Sequence, residues 1–158
     1  MKIKVIHSSY GHFTVRTLVA TVTVEKITDH HQALEVAYTK TQNVFDSWSM
    51  PEEIGPEYDT HQDGGKEVEV EAPLHDFGGK PCGLRSSMMG DRFQVIDPDN
   101  YDPDLFYVCA MVGFDPCDPV DYRVMGKESS YIVRALSDHL LRDHPEYKPY
   151  KGLDYQEV

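Results

Sequence analysis

Basic residues are scarce in this chain: 15 lysines and arginines stand against 27 aspartates and glutamates, a net charge of −12. Such a surface repels a phosphate backbone unless its cations are segregated onto one face, so direct nucleic-acid binding is disfavoured. Cysteine is rare too. The three present, Cys82, Cys109 and Cys117, are odd in number and lack C-x-x-C spacing, which argues against a disulfide framework or a zinc ribbon and fits reduced thiols. No run of about 18 apolar residues occurs. The opening MKIKVIHSSYGHF also lacks the apolar segment and small-residue cleavage site of a signal peptide, so neither a membrane span nor secretion is expected and the reading is cytoplasmic.

What is present suffices for one domain. With 158 residues, 40% of them hydrophobic, the chain can bury a core of its own. The charge is concentrated in two blocks: residues 51–76 sum to −8 and residues 97–121 to −7. Solvated surface is the ordinary reading of such blocks, and a partner with a basic surface is the functional one.

Periodicity divides the chain into elements. Lys2–Ser8 and Phe13–Ile27 are rich in β-branched residues and read as strands. Thr28 or Asp29 can cap a helix over residues 29–46, whose apolar face runs through Ala33, Leu34, Ala37, Tyr38, Thr41, Val44 and Phe45 towards Trp48. From Ser49 to Pro81 no period persists. This stretch reads as a long acidic loop, within which only Lys66–Glu71 alternates like an edge strand with its valines inward. Asp91–Ile96 and Leu105–Gly113 then read as two strands joined by the turn-rich PDNYDPD, and Glu128–Arg142 as a second amphipathic helix stopped by Pro145. The expected fold is α+β: a small single domain over residues 1–145 with a mainly antiparallel sheet, two amphipathic helices packed on one face and the 49–81 insertion, followed by a tail over 146–158.

Chemistry-bearing motifs are few. DPDNYDPD offers four carboxylates in eight residues, but an EF-hand would need glycine where Asp102 stands and glutamate where Val108 stands. Of the eight histidines, His139 and His144 are spaced by five rather than the four that puts two imidazoles on one helical face. No metal site or cofactor is therefore expected. Ser86 and Ser87 lie beside Arg85, yet the G-x-S-x-G elbow is absent and no base is indicated, so no catalytic residue is nominated and an enzyme is the weaker reading. The glycines at 64–65 and 78–79 lack phosphate-loop spacing.

One pattern extends across these elements. Asn43 and Trp48 close the first helix, Arg85-Ser86-Ser87-Met88-Met89-Gly90-Asp91 precedes a strand, and Phe106-Tyr107-Val108 begins another that ends in Gly113-Phe114. This order resembles small bacteriophage and mobile-element proteins, including those with YodL-like domains, in which an Asn…Trp pair precedes Arg-Ser-x-Ser-x-Gly-Asp and a Tyr-Val strand ending in Gly-Phe. The resemblance covers roughly residues 29–115, with Met88 where the family carries serine and a longer acidic spacer. It implies an accessory protein, some relatives of which accompany anti-restriction genes.

Physically, the motif reads as a turn. Arg85 can pair with Asp91, Ser86 or Ser87 can bond backbone groups, and Gly90 permits a positive backbone angle. Two functions follow as expectations. In the first, the chain binds and inhibits a host nucleic-acid-processing or defence protein, its acidic side chains Glu52, Glu53, Glu57, Asp59, Glu67, Glu69, Glu71, Asp97, Asp99, Asp102 and Asp104 engaging a basic surface. In the second, a nucleotide-like small molecule binds or reacts at a polar site around Arg85 and Asp91.

Overall fold

The structure is a computed structural model that describes residues 1–11, 14–44, 47–50, 67–125, 130–135 and 153–157. β1 (Lys2–His7) lies at its centre, flanked on one side by β2 (Thr17–Thr23) and on the other by β6 (Arg92–Ile96). Beyond β6 come β7 (Phe106–Cys109) and β8 (Phe114–Cys117), a meander whose neighbours are all antiparallel. Beyond β2 come the short β3 (Val68–Val70) and, by a single parallel pair between Thr17 and Arg123, β9 (Tyr122–Met125). β10 (Ser130–Ala135) and β11 (Leu153–Glu157) extend the sheet outward from β9. β4 (His75–Phe77) and β5 (Lys80–Cys82) form a separate hairpin.

Each face of the sheet buries its own cluster. On one face Ile3, Val5, Phe93, Val95 and Tyr107 pack with Ala33, Leu34 and Ala37 of the helix α1 (His30–Lys40) and with Trp48 and Leu84. On the other, Ile6, Leu18 and Phe106 are covered by Tyr122. Strand alternation explains the division, since neighbouring side chains of β1 point to opposite faces. A geometric constraint bends the sheet. β8 and β9 are five strand spacings apart in sheet order, about 24 Å if flat, whereas the five steps from Cys117 to Tyr122 reach at most about 18 Å. The sheet therefore curls around the smaller cluster.

The expected arrangement of two helices on one face is corrected to a sheet-dominated domain with one helix among the described residues. The described part of Glu128–Arg142 is β10, a strand hydrogen-bonded on both sides. Tyr131, Ile132 and Val133 are aromatic and β-branched, residues that suit a pleated surface, and over so short a run their apolar spacing fits a helix equally well.

The first helix is also shorter than its apolar spacing suggests. Asp29 caps it, its carboxylate accepting from Gln32 N–H at 2.8 Å, and it ends at Lys40. There the Thr41 hydroxyl turns back to donate to the Ala37 carbonyl at 2.9 Å. Val44 is 65% exposed, and Trp48 reaches the core from beyond the helix. The expected acidic loop instead carries β3 and β4 and runs into β5, and of the β3 valines Val68 packs against the core whereas Val70 stays exposed. The expected tail contains β11, and the expected Leu105–Gly113 strand folds back after Cys109 into β8. Among the described residues no helix is long and apolar enough to cross a membrane.

Candidate functional site

The Arg85–Asp91 stretch folds as a turn closed upon itself. Asp91 N–H donates to the Met88 carbonyl at 3.0 Å, and Met88 N–H donates back to Asp91 Oδ2 at 2.8 Å. Gly90 takes φ +94° at the third position, the left-handed conformation that a type II turn requires there. Arg85 then grips the same carboxylate with a parallel fork, Nη1 to Oδ2 and Nη2 to Oδ1, both at 2.7 Å. Ser8 supplies two more donors to Oδ1, its N–H at 2.8 Å and its hydroxyl at 3.0 Å.

Asp91 is thus fully buried and accepts five hydrogen bonds. Burial alone would raise its pKa, but the Arg85 fork, the nearby His7 and the Ser8 and Met88 amides together outweigh it and hold the carboxyl below its ordinary value. An ionised carboxylate with this many donors is saturated. It has no oxygen aimed at solvent and serves to fasten β1 to the turn before β6.

The serines complete the fastening on the helix side. Ser87 is buried and its hydroxyl bonds Thr41 Oγ1 at 2.7 Å and His7 Nε2 at 3.2 Å, while its N–H donates to the Thr41 carbonyl at 2.9 Å. Ser86 Oγ accepts from Asn43 N–H at 2.8 Å. Asn43 in turn donates through Nδ2 to the Leu84 carbonyl and accepts from Trp48 N–H, and Trp48 Nε1 donates to the Arg85 carbonyl, all at 2.9–3.0 Å. The Asn…Trp pair and the Arg-Ser-Ser stretch, about 40 residues apart in sequence, are one hydrogen-bonded unit. Gly83 marks their close approach, because a Cβ there would lie 2.0 Å from Ser47 Oγ.

A histidine, a serine and an aspartate meet here, but not in a nucleophile's arrangement. The nitrogen that bonds Ser87 is also the one facing Asp91, 3.9 Å away, so Asp91 does not orient His7 through its other nitrogen as a catalytic relay requires. Burial lowers the His7 pKa to about 4, against the attraction of Asp91 and with a further push from Arg85, so the ring is neutral near pH 7. Sequence reasoning missed His7, Ser8 and Thr41. They stand 46–83 residues from their partners, and only the β1 register and the end of α1 bring them in.

The outward side of the turn is apolar. Met88 and Met89 are 51% and 60% exposed, and Gly90 N–H to the Cys109 carbonyl sets them beside the β7–β8 turn, where Met111 and Val112 are also exposed.

The acidic candidates divide. Glu52, Glu53, Glu57 and Asp59 lie outside the described residues. Asp97 bonds His30 Nε2 at 3.0 Å and the Asp99 amide, and the His30 bond and that amide keep its carboxyl below the usual range. Asp102 accepts from Asp104 N–H at 2.9 Å, so local bonds order the β6–β7 loop. Asp99 and Asp102 are exposed, as are Glu67 and Glu69, whereas Glu71 is held by the Thr21 hydroxyl at 2.7 Å. Register brings the described end of the first block and the start of the second to one end of the sheet: β3 begins beside the end of β2, β2 ends beside Lys2, and Lys2 pairs with Ile96, next to Asp97. Three strand spacings, about 14 Å, separate Glu67 from Asp97. Lys2 lies between them and Lys40 pairs with Glu67 at 3.5 Å, so the end is acidic in excess rather than purely so. Among the described residues no group of three or more His, Cys, Asp or Glu side chains is placed to hold a metal ion.

Compared with known proteins, the chain matches no family model, no curated protein and no solved structure.

Proposed function

We propose that the chain is a small phage or mobile-element accessory protein of YodL-like kind, acting in the host cytoplasm by binding rather than catalysis. Its acidic end covers a basic surface on a nucleic-acid-processing or defence protein of the host. The observation that supports this most is the register that gathers Glu67, Glu69, Asp99 and Asp102 at one end of the sheet, all of them exposed. Carboxylates fixed on ordered backbone can imitate spaced phosphates and steer a cationic partner from a distance. The motif turn supports the same reading from the other side. Its carboxylate is buried and saturated, with the half-buried Arg85 guanidinium committed to it, so the pair builds the scaffold and leaves recognition to the surface.

Affinity capture with the tagged chain from nuclease-treated host lysate tests the proposal. A stoichiometric protein partner retained at low salt, released at high salt and lost with an Asp99→Lys/Asp102→Lys variant is expected. A partner whose capture ignores both salt and charge reversal would overturn the acidic-surface reading.

A further inference from the structure

A cleft of about 410 Å³ opens at the opposite end of the strands, and its walls include Arg16, Arg92, Arg123, Asp121, Ser8 and Tyr122. Half of the chain's six arginines are in this one place. Pairing explains the convergence: Arg92 stands opposite Ile6, Thr17 opposite His7, and Arg123 opposite Thr17, with Arg16 immediately before β2.

Two of the three guanidinium groups are held in position. Arg92 Nη1 donates to the Gly90 carbonyl. Arg123 Nη2 donates to Thr17 Oγ1 at 3.3 Å and its guanidinium lies 5.6 Å from the centre of the Tyr10 ring, while its backbone N–H bonds the Arg16 carbonyl at 2.7 Å. Arg16 is exposed. Among the described residues neither Arg16 nor Arg92 lies within ion-pair distance of a carboxylate, and Asp121 is the one acid among the described lining residues. Three positive groups against one negative group among the described lining residues is the reverse of the balance in the chain as a whole.

We propose that this cleft binds the phosphoryl group of a small ligand, a phosphomonoester or a nucleotide. Planar guanidinium forks match phosphate oxygens in pairs, and Arg92 and Arg123 are already ordered, so little freedom is lost on binding. The volume falls within the roughly 300–1,000 Å³ of small-molecule sites. A nucleic-acid strand suits the place poorly, because its further phosphates would meet a chain whose net charge is −12. The inference is independent of the acidic end and stands or falls separately.

The test is a titration of the full chain at low ionic strength with inorganic phosphate, pyrophosphate and adenosine monophosphate, followed through arginine side-chain NMR signals. Saturable shifts of Arg16, Arg92 and Arg123 are expected, with pyrophosphate binding more tightly than phosphate. Arg16→Gln and Arg92→Gln each weaken binding roughly tenfold, and Lys40→Gln leaves it unchanged. Arg16 is exposed, so its variant is expected to keep the melting temperature of the parent and to separate binding from folding. Tighter binding of adenosine monophosphate than of phosphate would mean that the cleft also reads the nucleoside, and equal binding that it reads the phosphoryl group alone. The proposal is overturned by the absence of saturable shifts at about 10 mM pyrophosphate, a concentration that would reveal millimolar affinity. It is equally overturned by shifts that persist in the Arg16→Gln/Arg92→Gln double variant, or by an oligonucleotide displacing pyrophosphate.

Discussion

Asp91 concentrates more of the fold's specificity than any neighbouring residue, because one carboxylate ties Ser8, Arg85 and Met88 together. Removing the buried carboxylate strands the Ser8 and Met88 donors and the half-buried Arg85 guanidinium without their acceptor, which costs about 3–5 kcal/mol. Asp91→Ala is expected to lose that much, lowering the melting temperature by about 10 °C for a chain of this size. Arg85→Lys keeps the charge but loses the fork, and is expected to cost less, about 1–2 kcal/mol. Thermal melts of the two variants check the order. His7 gives a second handle. Its folded pKa lies below the ordinary 6.5, at about 4, so the unfolded chain takes up the proton first and stability falls as pH drops from 6.5 towards 4. The loss over that window is on the order of 3 kcal/mol. Asp91, whose carboxyl is also lowered, contributes stability above its ordinary pKa and loses it at still lower pH. Denaturant melts between pH 7 and 4 are expected to show the decline, and His7→Gln to flatten it. The Arg85–Asp91 pairing and the Gly90 turn were legible in the sequence because they are local. His7, Ser8 and Thr41 were not, since only tertiary pairing brings them to the motif.

Among the elements, those defined by strong local chemistry were readable and those decided by pairing were not. The helix start follows from Asp29, and β1, β2, β6 and β7 from their β-branched and aromatic runs. The helix end was misjudged because Trp48 continues the apolar period, although a loop and not a helix delivers it to the core. Asn43 decides this, by bonding Trp48 N–H and the Leu84 carbonyl. Asn43 is exposed, as is Val44 beside it, but because it makes these two bonds Asn43→Ala is expected to cost more than Val44→Ala, about 1 kcal/mol, in equilibrium denaturation. For β10 the competing readings had nearly equal local support, and pairing with β9 and β11 tips the balance. Carbon chemical shifts of residues 130–135 are expected to be strand-like, and helical shifts there would contradict the sheet order described.

At the scale of the molecule, the described residues concentrate unlike charges at the two ends of β1. Exposed carboxylates lie at the Lys2 end of β1 and the arginine-lined cleft at the Ser8 end, about 20 Å apart along an extended strand. The sequence shows two acidic blocks but not that folding brings parts of both to one end, because strand order is set by pairing across many residues. Interactions through an exposed charged end are screened within about 8–10 Å at physiological salt, so binding there must be salt-sensitive. The most direct measurement is the affinity for the captured partner across a salt series, compared between the parent chain and Asp99→Lys/Asp102→Lys. The account predicts that affinity falls steeply with salt for the parent, and that charge reversal lowers it at least tenfold at low salt with a flatter slope. Equal affinities and parallel, flat salt dependences for the two proteins would contradict it.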